Sequence, residues 1–160
     1  MILTAIQEDY LEVIYHLGQD SDGVRTSDVA DRLGCRMPTV SRTVQKMVDM
    51  GLVHHKSRGL IRLTKLGEST AENIAHRHRD TVKFLRQILG MTEAQAEADA
   101  CQIEHGLSPL AAQRLHEFLE YVAMLSDDKR RIISEFARHA SESAVDFPHL
   151  KHNKSAGWRG

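Results

Sequence analysis

The chain has 160 residues and a formal net charge of −1, and is 41% hydrophobic but only 5% aromatic. This composition excludes a disordered chain, and with Cys35 and Cys101 as the only cysteines it excludes a disulfide scaffold and suits a reducing cytoplasm. No run of about 18 apolar residues is present, so no membrane span is expected, and Met1–Tyr10 lacks the basic and apolar regions of a secretory signal.

Residues 4–18 read as an amphipathic helix with Ile6, Tyr10, Val13, Ile14 and Leu17 at helical spacing, ended by Gly18 and the 20–23 stretch. A second helix is expected over 26–33, capped by Thr26 or Ser27 and stopped by Gly34. A third starts after Met37, with Pro38 suited to its first turn and Val40, Val44, Met47 and Val48 as its buried stripe. Two short helices around Gly34–Met37 form a helix-turn-helix pattern. Residues 52–56 and 60–63, separated by Ser57-Arg58-Gly59, then read as a β-hairpin. Thr64 opens a long helix expected to run to about Leu89. Further helices follow over about 92–106, 108–125 and 127–139. Leu110, Leu115, Phe118, Leu119, Val122 and Leu125 give the 108–125 helix enough apolar surface for a subunit interface. From Ser141 the sequence is polar and reads as a poorly ordered tail. The expected fold is mainly α: a winged helix-turn-helix with a small hairpin wing over 1–65, a helical metal-binding and dimerisation domain over 66–140, and a tail over 141–160.

The near-zero net charge conceals an asymmetry. Between Arg32 and Lys65 there are eight basic residues and one acid, Asp49. A basic block of this kind on a winged helix is the electrostatic footprint of duplex DNA binding. The third helix is the expected reader, with Arg36, Pro38, Thr39, Ser41, Arg42 and Lys46 at its N-terminal half. Arg42 can pair bidentately with guanine. In the wing, Lys56, Arg58 and Arg62 suit phosphates, which position a protein without specifying sequence. Each of these alone is equally well a solvated surface charge; as a set they point to DNA.

A second constellation lies on other helices. Asp9 and Glu12 are three apart on the first helix, Cys101, Glu104 and His105 share one face of a later helix, and His78 sits in the long helix between them. Carboxylates, imidazoles and a thiolate converging from three helices can bind a metal inside a bundle. Singly, each has a blander reading: a dipole-favouring acid, an exposed polar residue, a small buried hydrophobe. No activated nucleophile or general base stands out, so neither an enzyme nor an organic substrate is expected.

The stretches Glu8–Tyr15, Pro38–Met47, Arg77–Arg79 and Cys101–Ser108 resemble, in order, the metal-dependent repressors that include the diphtheria toxin repressor and the manganese transport regulator. The resemblance spans about residues 4–125. It implies a cytoplasmic homodimer that binds a palindromic operator when metal occupies the junction of its two domains. Asp9, Glu12, His78, Glu104 and His105 match ligands of the manganese regulators. Those proteins commonly carry glutamate where Cys101 stands, whereas the iron-type repressors carry cysteine there and methionine at the place of Asp9. The iron-type repressors also have a third, SH3-like domain with no counterpart in this sequence, and Val82 stands where they place a further acidic ligand. The implied metal is Mn²⁺ or Fe²⁺, with Co²⁺ or Zn²⁺ possible in vitro, since a thiolate favours softer metals than carboxylate and imidazole alone. The expectation is that without metal Asp9, Glu12 and Glu104 repel one another and the first helix is loosely held. The alternative is a winged-helix regulator that no metal controls, responding to an organic ligand or to nothing.

Overall fold

The computed structural model describes residues 3–55 and 59–142. Helix α1 (Ala5–Gly18) begins at a capping box: Gln7 N–H donates to Thr4 Oγ1 and Thr4 N–H donates back to the Gln7 side-chain oxygen Oε1 at 2.9 Å. Helices α2 (Thr26–Leu33) and α3 (Met37–Asp49) form the helix-turn-helix. Gly34 takes φ 62° between them, a left-handed conformation that glycine adopts without steric cost, and its N–H closes back onto α2. The N-cap of α2 is Arg25, without a side-chain cap, so neither Thr26 nor Ser27 caps this helix. Both lie inside its first turn.

Strands β1 (Val53–His55) and β2 (Ile61–Leu63) pair antiparallel, His54 opposite Arg62, and Val24 extends the sheet by bonding Ile61 in both directions at 2.8 Å. Val53 and Ile61 are buried while His54 and Arg62 face out, the period-two pattern of a sheet with one solvated face. Helix α4 (Lys65–Lys83) follows, capped by the Thr64 hydroxyl, and then relaxes into a π-helical turn, Phe84–Ile88. The expected single helix to Leu89 is thus interrupted after Lys83, where the bonding lengthens to Leu89 N–H onto the Phe84 carbonyl. Helix α5 (Glu93–Ile103) ends one residue before the site residues: Glu104–Gly106 is a 3₁₀ turn. Helices α6 (Pro109–Met124) and α7 (Asp127–Glu142) complete the described chain. The expected tail falls outside the described residues from 143 onward, and α7 runs past Ser141.

Two cores result. Leu11 and Ile14 of α1, Val29 and Ala30 of α2, Val40, Val44 and Met47 of α3, Leu52, Val53 and Ile61 of the wing, and Ala71 and Ile74 of α4 form the first. Each buried aliphatic side chain contributes about 1.5–3 kcal/mol. Val82 and Leu85 with Ala96 and Ala100 of α5 form the second, where alanines let α5 lie close to α4. Helix α4 belongs to both cores. On α6, Leu119 turns inward, a correction to the expected interface stripe, and Leu110, Phe118, Tyr121 and Met124 stay exposed, as do Ile132 and Phe136 of α7.

Gly67 fixes how α4 meets the wing. A Cβ there would lie 1.9 Å from the Leu52 carbonyl oxygen, a backbone atom that cannot swing away. Gly67→Ala is therefore expected to lower stability by about 1–3 kcal/mol. Urea unfolding checks this, as a lower midpoint at unchanged slope.

Candidate metal centre and DNA-facing surface

Helix α1 approaches α4 through Leu11 and Ile14, which brings Glu8, Asp9 and Glu12 to the α4–α5 edge. Glu12, His78 and Glu104 converge there with one ligand-type atom each, all within 4.8 Å of one another. His78 donates from Nδ1 to Glu104 Oε2 at 2.9 Å and from Nε2 to Glu97 Oε2 at 3.0 Å. His105 donates from Nε2 to Asp9 Oδ1 at 2.9 Å and from Nδ1 to Glu8 Oε2 at 2.7 Å.

Glu104 joins the two halves. Its side chain is 1% exposed, Oε2 accepts from His78, and Oε1 lies 3.7 Å from His105 Nε2. Oε1 is buried and has no hydrogen-bond partner. A buried, unpartnered carboxylate oxygen is costly unless something cationic satisfies it. The surrounding donors are carboxylates and imidazoles, with a thiol on the same wall, a set suited to a divalent transition metal. The residues therefore fit the group that the sequence implies.

Five of the six expected ligands, Asp9, Glu12, His78, Glu104 and His105, are drawn together. Cys101 lines the cleft with Glu12, His16, His78 and Glu97 but is exposed and stands outside the tight Glu12–His78–Glu104 group. The α5 geometry carries through to Glu104, which keeps right-handed helical dihedrals and donates its N–H to the Ala100 carbonyl, before the chain tightens into the 3₁₀ turn. Glu104 is buried there, and His105 reaches Glu8 and Asp9 of α1. The carboxylates are partly offset by imidazoles, His78 on Glu104 and His105 on Asp9, while Glu12 still lies close to Glu104. Glu8 and Glu97 were not singled out from the sequence. Glu97 lies one helical turn before Cys101, and that i, i+4 spacing was the signal available for it.

The charges shape the titration of the site. The hydrogen bond to Glu104, against burial and assisted by Glu97, raises His78 to about 9. His105 is also raised: burial works against its charge, but the hydrogen bond to Glu8 and the charges of Asp9 and Glu104 outweigh it. Glu12 is raised by burial and by the Glu104 charge. Burial, then the charges of Glu104, Glu12, Asp9 and Glu97, push the Cys101 thiol up.

On the other side of the winged unit, Arg36, Pro38, Thr39, Ser41, Arg42 and Lys46 all stand exposed along the first turns and outer face of α3, while Val40, Val44 and Met47 turn inward. Arg62 is exposed but engaged: its Nε donates to the Asp22 carbonyl oxygen at 2.6 Å and its guanidinium pairs with the Asp22 carboxylate at 2.9 Å. Lys56 and Arg58 fall outside the described residues.

A helix-turn-helix with a wing, coupled through its first helix to a cluster of metal-ligand type, defines a metal-responsive DNA-binding regulator. The chain belongs to the iron-dependent repressor family. Residues 2–60 match the family's "Iron dependent repressor, N-terminal DNA binding domain" and residues 64–135 its "Iron dependent repressor, metal binding and dimerisation domain". It is 36% identical over 130 residues to the HTH-type transcriptional regulator MntR of Geobacillus thermodenitrificans, covering 81% of this chain and 89% of that one. The MntR of Geobacillus kaustophilus is 35% identical over the same shares. Among solved structures, a "Manganese-dependent transcriptional repressor complex with manganese" superposes with a TM-score of 0.66 at 31% identity over 72% of this chain. The manganese regulator SloR superposes with a TM-score of 0.65 at 30% identity over 76%. This chain spans about half the length of those two solved chains, 53% and 55% respectively. Members of the family are metal-dependent DNA-binding repressors that dimerise, not enzymes. Among the described residues no helix is long and apolar enough to cross a membrane.

A ligating imidazole must give up a proton, so with His78 in the expected ligand role metal would compete with hydrogen ion. Below about 9 the ring is mostly protonated, so apparent metal affinity should rise with pH. His78 alone contributes about tenfold per pH unit, with one proton released per binding event. Metal titrations between about pH 6.5 and 8 in two buffers of different ionisation enthalpy check both the slope and the proton count.

Proposed function

We propose that this protein is a cytoplasmic repressor of metal-uptake genes that binds a palindromic operator as a homodimer when Mn²⁺, or alternatively Fe²⁺, is held by Asp9, Glu12, His78, Cys101, Glu104 and His105. The observation that carries the reading is the buried Glu104 carboxylate with its unpartnered oxygen between two imidazoles and two α1 carboxylates. The names of the relatives, manganese regulators among them, favour manganese, as does Asp9, a hard oxygen ligand. Cys101 is the residue that brings iron, cobalt or zinc into competition. We place the domain boundary at residue 65, where α4 begins, and put the homodimer contact on the exposed apolar residues of α6, with those of α7 as a second candidate.

When bound, the metal supplies the positive charge that the surrounding carboxylates share. Asp9 and Glu12 tie α1 into the site, while Glu104 and His105 approach from the 3₁₀ turn and His78 from α4. Since α1 packs under both α2 and α3, whatever fixes α1 against α4 also fixes the orientation of α3 relative to the helical half. In a dimer that orientation sets the separation of two recognition helices, about 34 Å for half-sites one turn apart. Ligand occupancy that favours this arrangement is linked reciprocally to operator binding. On the duplex, Arg42 reads guanine and Thr39 and Ser41 flank it. Arg36 and Lys46 meet phosphates, as do Lys56, Arg58 and Arg62 from the wing, with Pro38 holding the first turn of α3 open for close approach.

Anisotropy titrations of operator DNA at fixed salt test the metal switch. Wild type should bind with Mn²⁺ or Fe²⁺ and lose most affinity in chelator, and Glu104→Ala should lose the metal response. Equal affinity with and without chelator would refute it. For the reading surface, Arg42→Ala should cost about 1–3 kcal/mol on the operator and flatten the preference at one base pair. Lys46→Ala should weaken all sequences alike and reduce the salt dependence by about one unit of slope. A panel of single-base operator variants at two salt concentrations separates the two.

A further inference from the structure

Glu8 is the acid that the ligand set does not use, yet it has the most engaged carboxylate oxygen at the junction. Its Oε2 accepts from Arg77 of α4 at 2.5 Å and from Nδ1 of His105 at 2.7 Å. All three side chains are 16–20% exposed, so the contacts are only partly open to water. One oxygen thus ties α1, α4 and the 3₁₀ turn together. We propose that Glu8 is a positioning residue: it holds the His105 ring by Nδ1 so that Nε2 faces Asp9 and the unpartnered Glu104 oxygen, and Arg77 holds Glu8 in place.

The geometry favours this role over that of a further ligand. Glu8 Oε2 already serves two donors, one of them a guanidinium whose charge it neutralises. Drawing Glu8 to a metal would strand Arg77, whose Nε is already buried without a partner. A positively charged group left partly buried and unpaired is strongly disfavoured. His105 is the reverse case. Its two ring nitrogens point at different acids, Nδ1 to Glu8 and Nε2 to Asp9, and only the second lies near Glu104 Oε1 at 3.7 Å. An imidazole that ligates through one nitrogen is oriented by the hydrogen bond that the other donates, and loss of such a partner costs about 10–100-fold in metal affinity. Arg77 then matters at one remove. Without it, Glu8 keeps one of its two donors and is free to change rotamer.

This inference rests on the proposed ligand set, and the test separates the two. Mn²⁺ affinity of the DNA-free protein is measured by the loss of free-ion EPR signal for wild type, Glu8→Ala, Glu8→Gln, Arg77→Gln and Glu104→Ala. Visible spectra of the Co²⁺-saturated forms are recorded alongside, and unfolding temperatures are taken without metal. Glu8→Ala should bind Mn²⁺ about 10–100-fold more weakly. Glu8→Gln keeps an acceptor for His105 Nδ1 and should recover much of that loss, and Arg77→Gln should fall between. The Co²⁺ spectrum of Glu8→Gln should match wild type, because no ligand has changed. If Glu8→Ala stays within about twofold of wild type while Glu104→Ala loses binding, the positioning role is wrong and the ligand set survives. If Glu104→Ala also binds normally, the ligand set itself fails. A Co²⁺ spectrum altered in Glu8→Gln would overturn the proposal by making Glu8 a ligand. Should Glu8→Ala prove unfolded, Glu8→Gln against Arg77→Gln carries the comparison.

Discussion

The burial of one carboxylate governs the arrangement of this protein. Glu104 sits almost wholly out of water with an acid of α1 beside it, and a lone buried carboxylate would expel its charge or unfold its surroundings. What makes it tolerable is a set of imidazoles brought from two directions, His78 from α4 and His105 from the turn that Glu104 itself opens. Every element that supplies one of these partners must therefore be present and in register. The capping box of α1, the close approach at Gly67 and the alanine face of α5 are the means by which three helices arrive at one place.

That interleaving of acids and imidazoles changes the picture of a metal-free junction. Charge repulsion among Asp9, Glu12 and Glu104 would drive the helices apart if they faced each other directly. Two rings offset part of that repulsion, His78 against Glu104 and His105 against Asp9, while Glu12 still feels the charge of Glu104. The metal-free junction thus combines acid–imidazole pairs with a residual like-charge contact between Glu12 and Glu104. On the proposed ligand set, fidelity for one metal over another would depend on how readily each displaces protons from nitrogen and, at Cys101, from sulfur.

Much of the fold was legible because its signals are local. Val40, Val44 and Met47 repeat at helical spacing, Gly34 stands where only a left-handed residue fits, and Ser57-Arg58-Gly59 separates two short apolar alternations. The boundaries that were missed depend on tertiary packing. The π-helical turn after Lys83 and the 3₁₀ turn at Glu104 carry no proline or glycine at their starts, and nothing in the local sequence distinguishes them from continued α-helix. Leu119 illustrates the same limit, since an apolar stripe does not say which of its members turns inward. At the site, the ligand-type residues were recognisable from side-chain chemistry and family resemblance, but their partners were not. Glu8 and Glu97 gain meaning only once α1 and α5 are brought against α4, across 97 residues of separation in the contact between Glu8 and His105.

The double membership of α4 has a consequence for how separable the two halves are. Ala71 and Ile74 close the winged core, while Val82 and Leu85, little more than two turns further on, begin the other. A break in the chain at residue 65 would divide the molecule between recognisable sequence units and still leave the DNA-binding unit without one wall. The smallest piece able to retain a sealed winged core must carry α4 with it, and with α4 come Arg77 and His78. On the proposed ligand set, the DNA-binding unit could not be detached without taking part of the metal site along, because one helix walls both cores.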